Sequence, residues 1–264
     1  MRKSIFDIEI RIDLKYEFEI LKNILNERDT VFYNNFFHTL YDLLNDEIFP
    51  IWKYKGAFVD FDDFCYRLNI DWEHSYISHE NFLNLLELLV NLWTLVDFQF
   101  TKEQQRSWSK KVIGYMQLNL PLIIEKMNYQ IIEDKDKLRI VKRDSDVDSI
   151  LDIAPSNCSN LLLDYNDIRN NTIESKRKIL KDLDLYIEKN KRSFQSLNND
   201  TYTSIQIIVN KMGVNHPIDE EPYSSFNEQE LIDWYDKCFK LIIHLIRAKE
   251  VNEINKIRKK FSSN

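Results

Sequence analysis

Residues 82–100 are the most apolar stretch of the chain, and Asn84, Glu87 and Asn91 interrupt it at steps of three and four. That spacing places the three polar residues on one stripe of a helix. A membrane span would not place a Glu at its centre, so the stretch reads as a soluble helix buried nearly all round. The rest of the chain allows the same kind of element. Only 3 Gly and 5 Pro punctuate 264 residues, so turns are few and elements long, and helices are the usual long element. A mainly α fold is the expectation.

Taken in order, residues 7–20 alternate polar and apolar, which suggests a strand near 6–13, with helix as the equal alternative, passing into helix up to about Asn26. Phe32, Phe36, Phe37, Leu40, Leu43 and Leu44 read as one helical face, broken after Phe49-Pro50. Asp60 opens a short helix, and Ser78 is a cap for the apolar one. Thr101-x-x-Gln104 is a capping box for a helix to about Met127, with Pro121 expected to kink or end it. Residues 129–132 and 138–141 are β-branched runs around a charged turn, which predicts a small hairpin over about 129–141.

Helical patterns follow at 146–153 and 158–168, then a long one at 173–194 opened by Asn171-x-x-Glu174. Tyr202, Ile205, Val209 and Met212 make the next face, and Gly213 is its stop. Asn227-x-x-Glu230 opens a last helix with Leu231, Trp234, Cys238, Leu241 and Leu245 facing the core, and a basic end from Lys256 expected to fray. The expected organisation is an N-terminal helical region at 1–127, a hairpin connector at 128–145 and a helical bundle at 146–264.

The net charge of −7 argues against wholesale coating of nucleic acid and leaves room for a local basic groove. Cys65, Cys158 and Cys238 are far apart and odd in number, which excludes a disulfide framework and predicts buried free thiols in a cytoplasmic protein. No signal peptide is visible. Phosphate-loop, dinucleotide, HExxH and GxSxG motifs are absent, so no cofactor is expected. His74 and His79 are five apart, the wrong spacing for ligands on one helix face, and Asp60, Asp62 and Asp63 read as helix-capping residues, so no metal is expected. His38 and His244 lie on helical faces and read as packing residues.

Chemistry concentrates at Gly213-Val214-Asn215-His216-Pro217, a break between two periodic helices. With the helix before it and Leu231-Ile232-Asp233-Trp234-Tyr235 after it, residues 156–261 resemble the C-terminal region of HEPN-like abortive-infection proteins of bacteria. Trp52-Lys53-Tyr54 and Asp60-Phe61-Asp62-Asp63 resemble the same loose group of defence proteins. Arg67 and His74 satisfy the loose Arg-x4–6-His pattern of HEPN ribonucleases, although Leu68 stands where those have a polar residue. The resemblance implies a C-terminal HEPN-like bundle. In such ribonucleases a His moves the proton of a 2′-hydroxyl, and an Arg beside it stabilises the phosphorane-like charge. Here Val214 and Asn215 occupy the Arg position, so the pair is incomplete.

Three expectations follow. The first is a protein of a bacterial antiviral or toxin–antitoxin system that acts by contacts with another protein of that system or with a second copy. The second is a metal-independent ribonuclease using His216 with Asn215, and with Arg169, Arg177 or Arg247 holding RNA. The third is a structural helical protein in which Asn215-His216-Pro217 is only a polar turn.

Overall fold

A computed structural model describes residues 12–73, 76–215 and 226–262. The chain forms two compact units, Met1–Ile140 and Val141–Asn264. Its fold is mainly α with small antiparallel hairpins.

In the first unit α1 spans Leu14–Asn26, capped by the Asp13 carboxylate accepting from the Tyr16 N–H. Phe18, Leu21, Ile24 and Leu25 are buried at helical spacing, whereas Tyr16, part of the alternating pattern, is exposed. The alternation at 14–20 is therefore incidental to the helical face. Residues 6–11 of the expected strand lie outside the described residues, and Ile12 and Asp13 are not in a strand.

The helical face expected from Phe32 is a correction. β1, Val31–Tyr33, pairs antiparallel with β2, Phe36–His38, in the register Phe32↔Phe37. Asn34 and Asn35 supply the two positive φ values, 50° and 67°, that a tight two-residue hairpin turn demands. Only from Leu40 does the helix begin. α2, Leu40–Leu43, has a Thr39–Asp42 capping box and runs on into a π-helical turn over Leu44–Ile48 and a 3₁₀ turn over Phe49–Ile51. α3, Phe61–Arg67, starts where Asp60 accepts from the Asp63 N–H at 2.7 Å.

The apolar stretch is α4, His79–Gln99, capped by Ser78. Phe82, Leu85, Leu86, Leu89, Leu92 and Val96 are fully buried. Its polar stripe has a specific use. β3, Tyr129–Asp134, and β4, Lys137–Lys142, form the hairpin expected here, and β4 turns its unpaired backbone groups to α4. Asn91 donates to the Leu138 carbonyl at 2.7 Å and accepts from the Leu138 N–H at 2.9 Å, while Glu87 accepts from the Ile140 N–H at 2.6 Å. The helix thus satisfies a strand edge that would otherwise be left open.

The single helix expected from Thr101 is also a correction. The capping box opens only α5, Lys102–Gln105. The buried Trp108 donates its indole N–H to the Phe32 carbonyl at 2.9 Å, and the Ser109 N–H reaches the Thr30 carbonyl at 2.7 Å. Anchorage to the β1 region draws the chain out of the helix there. Helix resumes as α6, Lys110–Gly114, widens in a π-helical turn over Tyr115–Asn119, and continues as α7, Leu120–Lys126, with Pro121 in its first turn. At that position the missing N–H of Pro121 costs little.

The division between the units falls within β4. The second unit holds α8, Ser145–Leu151; α9, Ser156–Tyr165; α10, Ile173–Lys189; α11, Lys191–Lys211; and α12, Glu228–Ser262. Thr172, not Asn171, caps α10 by accepting from the Ser175 N–H at 3.2 Å. The pattern expected to run through 194 is broken at Asn190, so Phe194 belongs to α11, which itself bends at Asn198. Gly213, at φ 73°, ends that helix as expected.

The Asn227–Glu230 box opens α12, which extends through Ser262. Its buried face centres on Tyr235, Cys238, Phe239, Ile242, Leu245 and Ile246, with Trp234 and Leu241 only partly buried. They pack with Leu162, Leu180, Leu183, Ile187, Phe194 and Ile205 in one core. No helix among the described residues is long and apolar enough to cross a membrane.

Candidate functional site

The end of α11 delivers the Gly213–Asn215 junction to the side of α10. Val214 is buried at the junction, and Asn215 donates its backbone N–H to the Val209 carbonyl at 3.2 Å. The Asn215 amide donates to Asp184 Oδ2 at 3.2 Å, and Gln206 donates to Asp184 Oδ1 at 2.7 Å. Asp184 is 4% exposed. Burial raises its carboxyl above the usual carboxylate range, the bonds from Asn215 and Gln206 act against that rise, and Glu188 adds to it. One turn on, Tyr202 donates to Glu188, and burial together with that bond raises the phenol. Asn215 is thus part of an internal network. His216 lies outside the described residues, as does His74.

The three arginines are placed differently. Arg169 grips the buried Asp167 through two bonds, Nε to Oδ1 at 2.9 Å and Nη2 to Oδ2 at 2.6 Å. Arg247 donates to Ser149 and lies 4.0 Å from Asp146. Arg177 alone among the three reaches the junction. Its Nε donates to the Tyr235 hydroxyl at 3.3 Å, and that hydroxyl donates to the Met212 carbonyl at 2.8 Å. Its Nη2 is buried with no hydrogen-bond partner among the described residues.

A second polar cluster lies on the same helices. Lys176, 7% exposed, bonds Asp236 at 2.7 Å, and Tyr165 donates to the same carboxylate oxygen at 2.7 Å. The ammonium sits 4.4 Å from the centre of the Tyr165 ring, which stacks on Phe239 at 3.9 Å. Burial, with Asp236 beside it, raises the Tyr165 phenol strongly.

Sequence reasoning passed over Lys176 and Asp184, and gave Tyr235 no role beyond its place in the 231–235 motif. A signal was present: 176, 180, 183, 184 and 187 share one face of α10, so two charges sit inside an apolar stripe. Among the histidines, His244 and His79 are exposed, so His244 is not the packing residue expected; His38 is partly buried, with an unpartnered Nε2 and its ring 4.1 Å from that of Tyr33.

Cys65, Cys158 and Cys238 are free and buried. Burial pushes Cys158 up to about 11 and Cys238 up to about 12, so neither is a thiolate at neutral pH. No group of metal-binding side chains occurs among the described residues. No family model, no curated protein and no solved structure matches the chain.

Proposed function

We propose that the chain is an HEPN-like component of a bacterial antiviral (abortive-infection) or toxin–antitoxin system, acting in the cytoplasm by protein contact rather than by cutting RNA. The observation that carries the contact reading is the commitment of Asn215 to the buried Asp184. A side chain standing where the family has its Arg is here a brace between α10 and the junction. Arg169 and Arg247, two of the arginines that the ribonuclease reading would use, are likewise held on side chains of their own unit. The place in a defence system rests on the resemblance over residues 156–261. Its partner is another protein of that system or a second copy of the chain. Purified wild type and His216→Ala should leave an RNA substrate equally intact, and cells expressing either should grow alike. Cleavage by wild type that vanishes in His216→Ala would overturn this reading.

One observation favours the enzyme as a second reading. Arg177 reaches the Met212 carbonyl through Tyr235, four positions before His216, and keeps one buried donor without a partner among the described residues. Of the three candidate arginines it is the one that reaches the junction. The enzyme reading requires Arg177→Ala and His216→Ala to lose cleavage alike while melting as wild type does.

A further inference from the structure

The first unit contains a cleft of about 420 Å³, and its reading is independent of the defence reading. This is within the size range of small-molecule sites, about 300–1,000 Å³. Residues 51–54 form one wall, α4 the floor through Asn91, Thr94 and Leu95, and the β3–β4 turn the other wall. Trp52 is held edge-on by Phe64, with ring centroids 5.4 Å apart, and by Tyr54 at 6.1 Å. Lys53 and Tyr54 both bond Asp136, which ties the 51–54 wall to the turn.

The polar groups of the floor are already used. The Asn91 amide bonds the backbone of Leu138 and Glu87, and the Thr94 hydroxyl donates to the Val90 carbonyl. The lining carries Lys53, Lys135 and Lys137 against Glu133 and Asp136, a net positive patch in a chain of net charge −7. Asp136 is balanced by Lys53. Lys135 stands at the tip of the two-residue turn, exposed, at φ 62°.

We infer that this cleft binds a mononucleotide, its base against Trp52, Leu95 and Leu138 and its phosphate at Lys135 and Lys137. An indole beside aliphatic side chains suits a flat ring of any base, since each has a π face. Ammonium groups at the rim suit the phosphate: Asp136 is paired with Lys53, Lys137 lies 3.7 Å from Asp134, which Arg139 also holds, and exposed Lys135 supplies the remaining cation opposite Glu133.

The test is calorimetric titration of the full chain with AMP, adenosine and inorganic phosphate. AMP should bind saturably, adenosine more weakly, and phosphate alone not at all. Thr94→Trp, at an exposed position of α4, should fill the cleft and abolish AMP binding. Lys135→Asn removes the cation and keeps a residue that tolerates positive φ. It should weaken AMP binding about two- to fivefold, as expected of one exposed charge contact. Both variants should melt with the wild type. Absence of saturable AMP binding, AMP binding undiminished in Thr94→Trp, or phosphate binding as tight as AMP would each overturn the proposal.

Discussion

In the first unit, the polar side chains that reach between helix and strand bond to backbone. Asn91 and Glu87 of α4 hold the Leu138 and Ile140 groups of β4. In the second unit they bond chiefly to one another. Gln206 and Asn215 hold Asp184, Tyr202 holds Glu188, and Lys176 and Tyr165 hold Asp236. In the first arrangement only the helix side can change, through the Glu87 carboxylate, because the backbone groups it holds neither titrate nor change rotamer. In the second, both partners are side chains, so protonation or exchange of either can act on it.

The largest effects should be common to both units, because both rest on apolar cores. Leu89 of α4 and Leu183 of α10 are fully buried. Each change to Ala should cost about 2–5 kcal/mol in a denaturant titration. A variant of either residue with wild-type stability would mean that its helix is not placed as described.

Asn91→Ala separates the units. It leaves the Leu138 N–H and carbonyl without their partner, at about 1–3 kcal/mol for each group that stays dry. Hydrogen exchange at the Leu138 amide should accelerate. Glu87→Gln keeps an acceptor for the Ile140 N–H and should cost less. Equal protection of Leu138 in Asn91→Ala and wild type would remove the distinction between backbone-held and side-chain-held polar groups.

These two arrangements also differ in how far the sequence reveals them. The stripe Asn84, Glu87 and Asn91 is plain from spacing, yet its partner strand is 47 residues away for Asn91, so the stripe alone reads as a solvated edge. The hairpin at Tyr129–Lys142 is legible because both strands and their turn are adjacent in sequence. The hairpin at Val31–His38 is hidden by phenylalanines that also fit a helical spacing, and the local signal for its turn, Asn34-Asn35, is the one the sequence reading missed. At the junction, Gly213 and the Asn227–Glu230 box are local signals and were readable. The approach of Arg177 to Met212 depends on the packing of α10 on α12, which no local pattern encodes.

Asp184→Asn tests the titratable side of the contrast. The folded-state carboxyl is raised above its ordinary 3.8, chiefly by burial. The unfolded chain therefore releases this proton at lower pH than the folded one. The contribution of Asp184 to stability is complete below 3.8 and declines as pH rises through the elevated folded value. An amide does not ionise, and the neighbouring amides of Asn215 and Gln206 can turn to match it. The melting temperature of Asp184→Asn relative to wild type should therefore increase from acid to neutral pH. A difference that stays flat across that range would show that folding leaves the Asp184 carboxyl at its ordinary value, against the rise that burial predicts.

Arg247→Ala should have the smallest effect. Its partner Asp146 is 4.0 Å away, and their side chains are 45% and 58% exposed. Such pairs are screened by water and salt, and their median contribution is about 0–1 kcal/mol. The bond to Ser149 is likewise at the surface. Stability should change by no more than about 0.5 kcal/mol, as for most surface substitutions. That small cost makes the variant a clean probe of function. If the chain acts by protein contact, retention on RNA should be the same for Arg247→Ala and wild type at low salt. If the second unit grips RNA, retention should fall in Arg247→Ala with the melting temperature unchanged, and the salt slope of binding should be reduced by about one charge.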